Sequence, residues 1–138
     1  MVAERVRRRR PAALAVELLF ALPVLLAMLL GTVEFSMLLV ARQQLLVASR
    51  EGARVAAQGG DATEVEQAVS LFLGASSLAG ASVQSVLTDD VGEPLPSGAP
   101  VTVTVTLPTA RAVPDLLAFI GFSIRGDTLI AQTVMRKE

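Results

Sequence analysis

Between Leu18 and Val33 the only side chain with a polar group is that of Thr32, and the apolar run continues past Glu34 and Ser36 to Ala41. As a helix rising about 1.5 Å per residue, this stretch measures about 36 Å. A hydrocarbon core of about 30 Å is crossed by such a helix with some tilt. The chain has 138 residues, and the rest of it is too short to cover a helix that is apolar on all sides. The run therefore predicts a membrane span rather than a core helix.

Charge gives the span a direction. Arg5, Arg7, Arg8, Arg9 and Arg10 place five of the twelve basic residues in the first ten positions, offset only by Glu4. Basic flanks stay cytoplasmic, so the expected topology is a single pass with the N-terminus inside and everything beyond about Ala41 outside. A cleaved signal peptide is the competing reading, with Leu39-Val40-Ala41 as its cutting site. Against it, the apolar region exceeds the usual length of about 7–15 residues, and helix-forming residues run straight through the site.

The helix should leave the membrane unbroken, since no proline interrupts residues 42–57. Leu45, Ala48, Ser49, Gly52, Val55 and Ala56 recur at helical spacing. Among them Ala48, Gly52 and Ala56 form a narrow face of small residues that admits another backbone, either the chain's own sheet or a second subunit. Arg50, Glu51 and Arg54 decorate the remainder, with Glu51 and Arg54 spaced for an i,i+3 pair. Gly59-Gly60 ends the helix. Asp61 and Glu64 predict a capping box opening a second helix, whose apolar face is Val65, Ala68, Val69 and Phe72 and whose end is Gly74.

Residues 81–88 read as a strand, and the three prolines between Glu93 and Pro100 demand a loop. Val101 to Leu107 alternates valine with threonine, the pattern of a half-buried strand. Pro108 and Pro114 mark a break, residues 116–120 a helical turn, and residues 128–136 a last strand. The expected fold is α+β. A basic leader (1–12) precedes a transmembrane and extended helix (13–58), which carries a small extracytoplasmic domain (59–138) with a short helix and about three antiparallel strands.

With no cysteine and no histidine, disulfides, thiol nucleophiles, imidazole bases and most zinc chemistry are excluded. No cofactor or metal is expected; Asp89-Asp90, beside a loop, is the weak candidate for a cation. The absence of Tyr and Trp removes the usual interfacial belt and the platforms for base stacking. The arginine cluster beside a span reads as a topology signal, so nucleic acid is not an expected partner and membrane lipid is.

Four local stretches carry a resemblance. Ala12-Ala13-Leu14-Ala15-Val16-Glu17-Leu18 ahead of Leu22-Pro23, then Gly31-Thr32-Val33-Glu34-Phe35, then Ala41-Arg42-Gln43-Gln44-Leu45, and finally Ala48-Ser49-Arg50-Glu51-Gly52-Ala53-Arg54 are similar, in this order, to the landmarks of the TadE-like pseudopilins. The match covers about residues 11–57; Ser36-Met37 departs from the usual glycine-arginine. The resemblance implies a minor, type IV prepilin-like component of a tight-adherence (Flp) pilus assembly or related secretion system. It would be structural rather than catalytic, with other pilin and pseudopilin subunits, a prepilin peptidase and the pilus assembly platform as partners. Counting back from Glu17 as the fifth mature residue, the peptidase would cut between Ala12 and Ala13, with alanine standing where the family usually has glycine.

Two readings of Glu17 stand side by side. By family resemblance it pairs with the mature α-amino group of a neighbouring subunit; otherwise it snorkels toward its own arginines. Glu34 falls at the outer interface by helix rise and reads as an interfacial polar residue, while Arg50, Glu51 and Arg54 read as a solvated face. A single-pass anchor with an extracytoplasmic binding domain is the alternative function, and a tethered enzyme a more remote one.

Overall fold

The computed structural model describes residues 3–74, 78–87 and 93–138, the first ten of them as helix backbone. Asp89 and Asp90 lie outside the described residues. Helix α1 runs unbroken over Ala3–Ala57, about 82 Å at 1.5 Å per residue. It continues through Pro23, which removes one backbone donor, a loss that membrane helices tolerate.

Two glycines end α1. The N–H of Gly60 donates to Val55 O at 3.0 Å and that of Gly59 to Ala56 O at 3.2 Å, the bond pair of a Schellman motif. Gly59 sits at φ +91°, where a side chain would be strained. Helix α2 spans Ala62–Leu73 and opens on the expected capping box: Asp61 Oδ1 accepts from Glu64 N at 2.8 Å, and Glu64 Oε2 accepts from Asp61 N at 3.1 Å.

Three strands follow, β1 (Ser82–Val86), β2 (Pro100–Pro108) and β3 (Thr128–Arg136), in a fully antiparallel sheet of order β1-β2-β3. The α+β class read from the sequence is the observed one. In central β2 the alternation is realised: Val101, Val103, Val105 and Leu107 are buried and the intervening threonines lie on the other face. Prolines occupy both its ends, where loss of a ladder donor does least damage. The break between Pro108 and Pro114 contains one turn of helix, α3 (Thr109–Ala112), and the turn expected at 116–120 is a 3-10 turn over Ala118–Ile120.

The core lies between the upper part of α1, α2 and the inner face of the sheet. On α2 the buried stripe is Val65, Val69 and Leu73, whereas Phe72 is exposed. A strict i, i+4, i+8 row carries the contact, and Phe72 falls to one side of it. Strand β3 runs alongside α1 in the same direction. Ser49 on α1 meets Thr133 on β3 at 2.7 Å (Oγ to Oγ1), and Glu138 N donates to Ala57 O at 2.9 Å, capping the top of the helix. The opposite end of β3, Thr128 and Leu129, lines a cleft with Leu38. The domain formed by α2 and the sheet, the head, therefore reaches down α1 below Ala41.

Candidate functional site

Helix α1 has two regimes. From Leu14 to Leu30 its apolar side chains stand mostly exposed on every side, Phe20 at 73% and Leu19 at 70% among them. By length and composition this is the one helix among the described residues apt to cross a membrane. Glu17 is exposed within it. Ala13 begins the described side chains, so the side chains of Ala12 and the arginine cluster lie outside them. Higher up, Thr32 Oγ1 donates to Met28 O at 2.8 Å and Ser36 Oγ to Thr32 O at 2.7 Å. Both hydroxyls are thus satisfied by the helix itself.

The upper regime is packed. Leu45, Ala48, Ser49, Ala53 and Ala56 are buried. Gly52 lies where α1, α2 and β2 converge: a Cβ there would stand 2.8 Å from Val69 Cγ2, 3.3 Å from Val103 Cγ1 and 3.4 Å from Val65 Cγ1. Ser49, fully buried, donates to Leu46 O at 2.9 Å and bonds Thr133 across the helix–sheet interface. The small-residue face of Ala48, Gly52 and Ala56 thus packs inside the chain's own domain. Arg50 and Arg54 are exposed; Arg54 Nη1 lies 3.7 Å from Glu51 Oε1, with both side chains largely in solvent. Such a pair contributes little stability.

Between the regimes sits the feature that sequence spacing does not reveal. Glu34 is only 3% exposed. Its Oε2 accepts from the backbone N–H of Leu116 at 3.0 Å and of Leu117 at 3.1 Å, so a carboxylate on α1 holds the loop that follows α3. Its level along the helix is the one its spacing gives, but its surroundings are protein rather than solvent. Gly31 lies one turn below; a Cβ there would meet Leu117 Cδ1 at 3.5 Å. The neighbouring Phe35 is exposed.

The loop is also closed on itself. Asp115, its side chain 3% exposed, accepts from Ser123 Oγ at 2.6 Å and pairs with Arg125 Nε at 3.3 Å through Oδ2. Ile120 N donates to Leu117 O and Gly121 N to Ala118 O. Among the described residues, the buried side-chain atoms without a hydrogen-bond partner are Glu34 Oε1 and Asp115 Oδ1, so both orphaned acceptors belong to this docking site. Buried acceptors without partners are uncommon and mark a place under special constraint. A Glu preceding Phe in an apolar helix was the available signal; its partner, a backbone N–H pair 82 residues away, carries no side-chain signature. No group of His, Cys, Asp or Glu fit to hold a metal occurs among the described residues.

A helix bare and apolar below Gly31, with a small antiparallel sheet folded against its upper half, is an α+β arrangement compatible with a single-pass membrane anchor. Residues 12–54 are similar to the family model described as TadE-like protein, over the segment in which the four landmarks fall. The match covers α1 and none of the sheet. No curated protein and no solved structure matches the chain.

Proposed function

We propose that this protein is a minor, prepilin-like subunit of a tight-adherence pilus assembly or related secretion system, acting through helix–helix packing within the membrane. The observation that carries the reading is the TadE-like match over residues 12–54, on a helix whose lower part is left mostly exposed by the other described elements. Because Ala48, Gly52 and Ala56 pack against the chain's own α2 and sheet, contacts with other pilin and pseudopilin subunits fall to the exposed stretch from Leu14 to Leu30. The arginine-rich start is cytoplasmic and the head lies outside, by the positive-inside rule.

In this reading the prepilin peptidase cuts between Ala12 and Ala13, and the assembly platform receives the mature chain. Glu17 then meets the α-amino group of a neighbouring mature subunit. Each charge spares the other isolation in a medium of low dielectric, where an unpaired one is costly. Mass spectrometry of the protein from native membranes tests the processing, with Ala13 the expected first residue; a mature chain starting at Met1 or Val2 refutes it. Glu17→Gln should leave mature mass and abundance unchanged while reducing co-purification with pilin partners. Normal co-purification would assign Glu17 to snorkelling instead.

A further inference from the structure

The chain has five phenylalanines, and none is in the core. Phe20 and Phe35 are exposed on α1, Phe72 on α2, and Phe119 (64% exposed) and Phe122 (60%) on the loop that Glu34 clamps. Between the latter two, Ile120 is also exposed. Residues 116–122, Leu-Leu-Ala-Phe-Ile-Gly-Phe, carry no polar side chain. The first charges on either side, Asp115 and Arg125, are paired with each other, so the tip presents apolar surface alone.

The depth of this tip is set by its anchor. Its floor is bonded to Glu34 and packed on Gly31. Gly31 stands about 27 Å and Glu34 about 32 Å along the helix from Ala13, at 1.5 Å per residue. A hydrocarbon core is about 30 Å thick, with headgroups extending it to about 40–45 Å. When α1 spans a bilayer from its basic flank, the tip therefore lies at the outer boundary of the acyl region. Non-helical backbone is tolerated at such a depth only where its polar groups are satisfied by protein. Four of the tip's N–H groups have such partners: Leu116 and Leu117 donate to Glu34, Ile120 to Leu117 O and Gly121 to Ala118 O.

We infer that residues 116–122 form a second membrane contact, a preformed apolar tip that inserts Phe119, Ile120 and Phe122 into the outer-leaflet interface beside the span. The occupant of this surface is lipid: the tip continues the apolar surface of α1 at the same level. Glu34 acts as a positioning residue, holding the tip at that depth and satisfying backbone groups that water would serve elsewhere. The head is thereby fixed in height and tilt against the membrane surface.

The inference rests on α1 crossing the bilayer, and the experiment separates the two. The chain contains no tryptophan, so one introduced residue reports without background. Full-length Phe122→Trp, Phe20→Trp and Val134→Trp proteins are placed in nanodiscs of phosphatidylethanolamine and phosphatidylglycerol. Lipids brominated at shallow or deep acyl carbons serve as one quencher and aqueous iodide as the other. Phe20→Trp tests the span, and Val134→Trp, exposed near the top of β3, is the aqueous reference. The expected result is blue-shifted Phe122→Trp emission, quenched by shallow bromolipid and largely lost to iodide, with Val134→Trp the reverse. Iodide quenching of Phe122→Trp equal to that of Val134→Trp, with Phe20→Trp quenched by lipid, overturns the tip and leaves the span standing. Phe20→Trp beyond the reach of bromolipid overturns both. Phe122→Trp shielded from lipid and iodide alike means that a protein surface covers the tip, and refutes the lipid assignment.

Discussion

Removing the Glu34 carboxylate tests whether one side chain holds the loop that follows α3 to the helix. In the Glu34→Ala variant the N–H groups of Leu116 and Leu117 lose their acceptor at 3.0 and 3.1 Å. Each buried donor left unsatisfied costs about 1–3 kcal/mol, so the docked loop is destabilised by roughly 2–6 kcal/mol, limited by the cost of swinging the loop out to reach water. The loss is local. The docking contacts include those of Glu34, of Leu117 near Gly31 and of Leu38 with the core cluster that contains Ile124, whereas β2 is held independently by β1, β3 and the α1–α2 pair.

Hydrogen–deuterium exchange on the full-length protein in nanodiscs reads the effect residue by residue. At about 1.4 kcal/mol per tenfold, the lower bound of 2 kcal/mol predicts exchange at Leu116 and Leu117 accelerated roughly 30-fold, with the amides of Val103 and Val105 unchanged. Glu34→Gln keeps an oxygen for the two donors but loses the charge assistance that roughly doubles such bonds, so its acceleration should be intermediate. Unchanged exchange at 116–117 in Glu34→Ala would show that packing alone holds the loop. Equal acceleration across β2 would show that Glu34 supports the whole fold and not the loop.

Three further outcomes follow from the packing. Gly52→Leu places a branched side chain where even a Cβ meets Val69 at 2.8 Å; overpacking costs about 1–3 kcal/mol or more, read as a lower melting temperature of the head. Arg54→Ala, breaking only the exposed pair with Glu51, should shift stability by less than about 0.5 kcal/mol. A fragment beginning at Gly31 should be more stable than one beginning at Arg42, because the shorter piece strips the loop of Glu34 and Leu38; equal denaturation midpoints would contradict the docking described here.

The parts legible in the sequence are those whose cause is local. The capping box at Asp61 and Glu64, the twin-glycine end of α1, and the valine–threonine alternation of β2 each declare themselves within a few residues, because hydrogen-bond geometry and side-chain period act at that range. The small face at Ala48, Gly52 and Ala56 is visible as a face, but spacing leaves its partner open; tertiary packing supplies Val65, Val69 and Val103. The choice of Leu73 over Phe72 on α2 depends on how two helices cross, which periodicity alone does not fix. Glu34 shows the limit most sharply. Hydropathy marks it as an interruption of an apolar run, and its depth follows from helix rise, but its bond to a loop 82 residues later exists only once the sheet has folded down along the helix.

That downward reach changes where the anchor ends. The apolar run extends to Ala41, yet the head grips α1 from Gly31 upward, overlapping the run by about 16 Å at 1.5 Å per residue. What remains free, Ala13 to Leu30, is about 27 Å long, close to the hydrocarbon thickness of about 30 Å. The apolar residues from Gly31 to Ala41 therefore divide their duty, those under the loop packing against Leu117 and Ile124, the others facing outward. No linker separates span from head: α1 is one helix through both, and the loop ties the sheet to it at the level where the free stretch ends. Because α1 is continuous from its free stretch into the head, a tilt of the free stretch is passed on to the head. In the proposed assembly by lateral packing of the lower helix, that coupling would make the orientation of the head a consequence of contacts made inside the membrane.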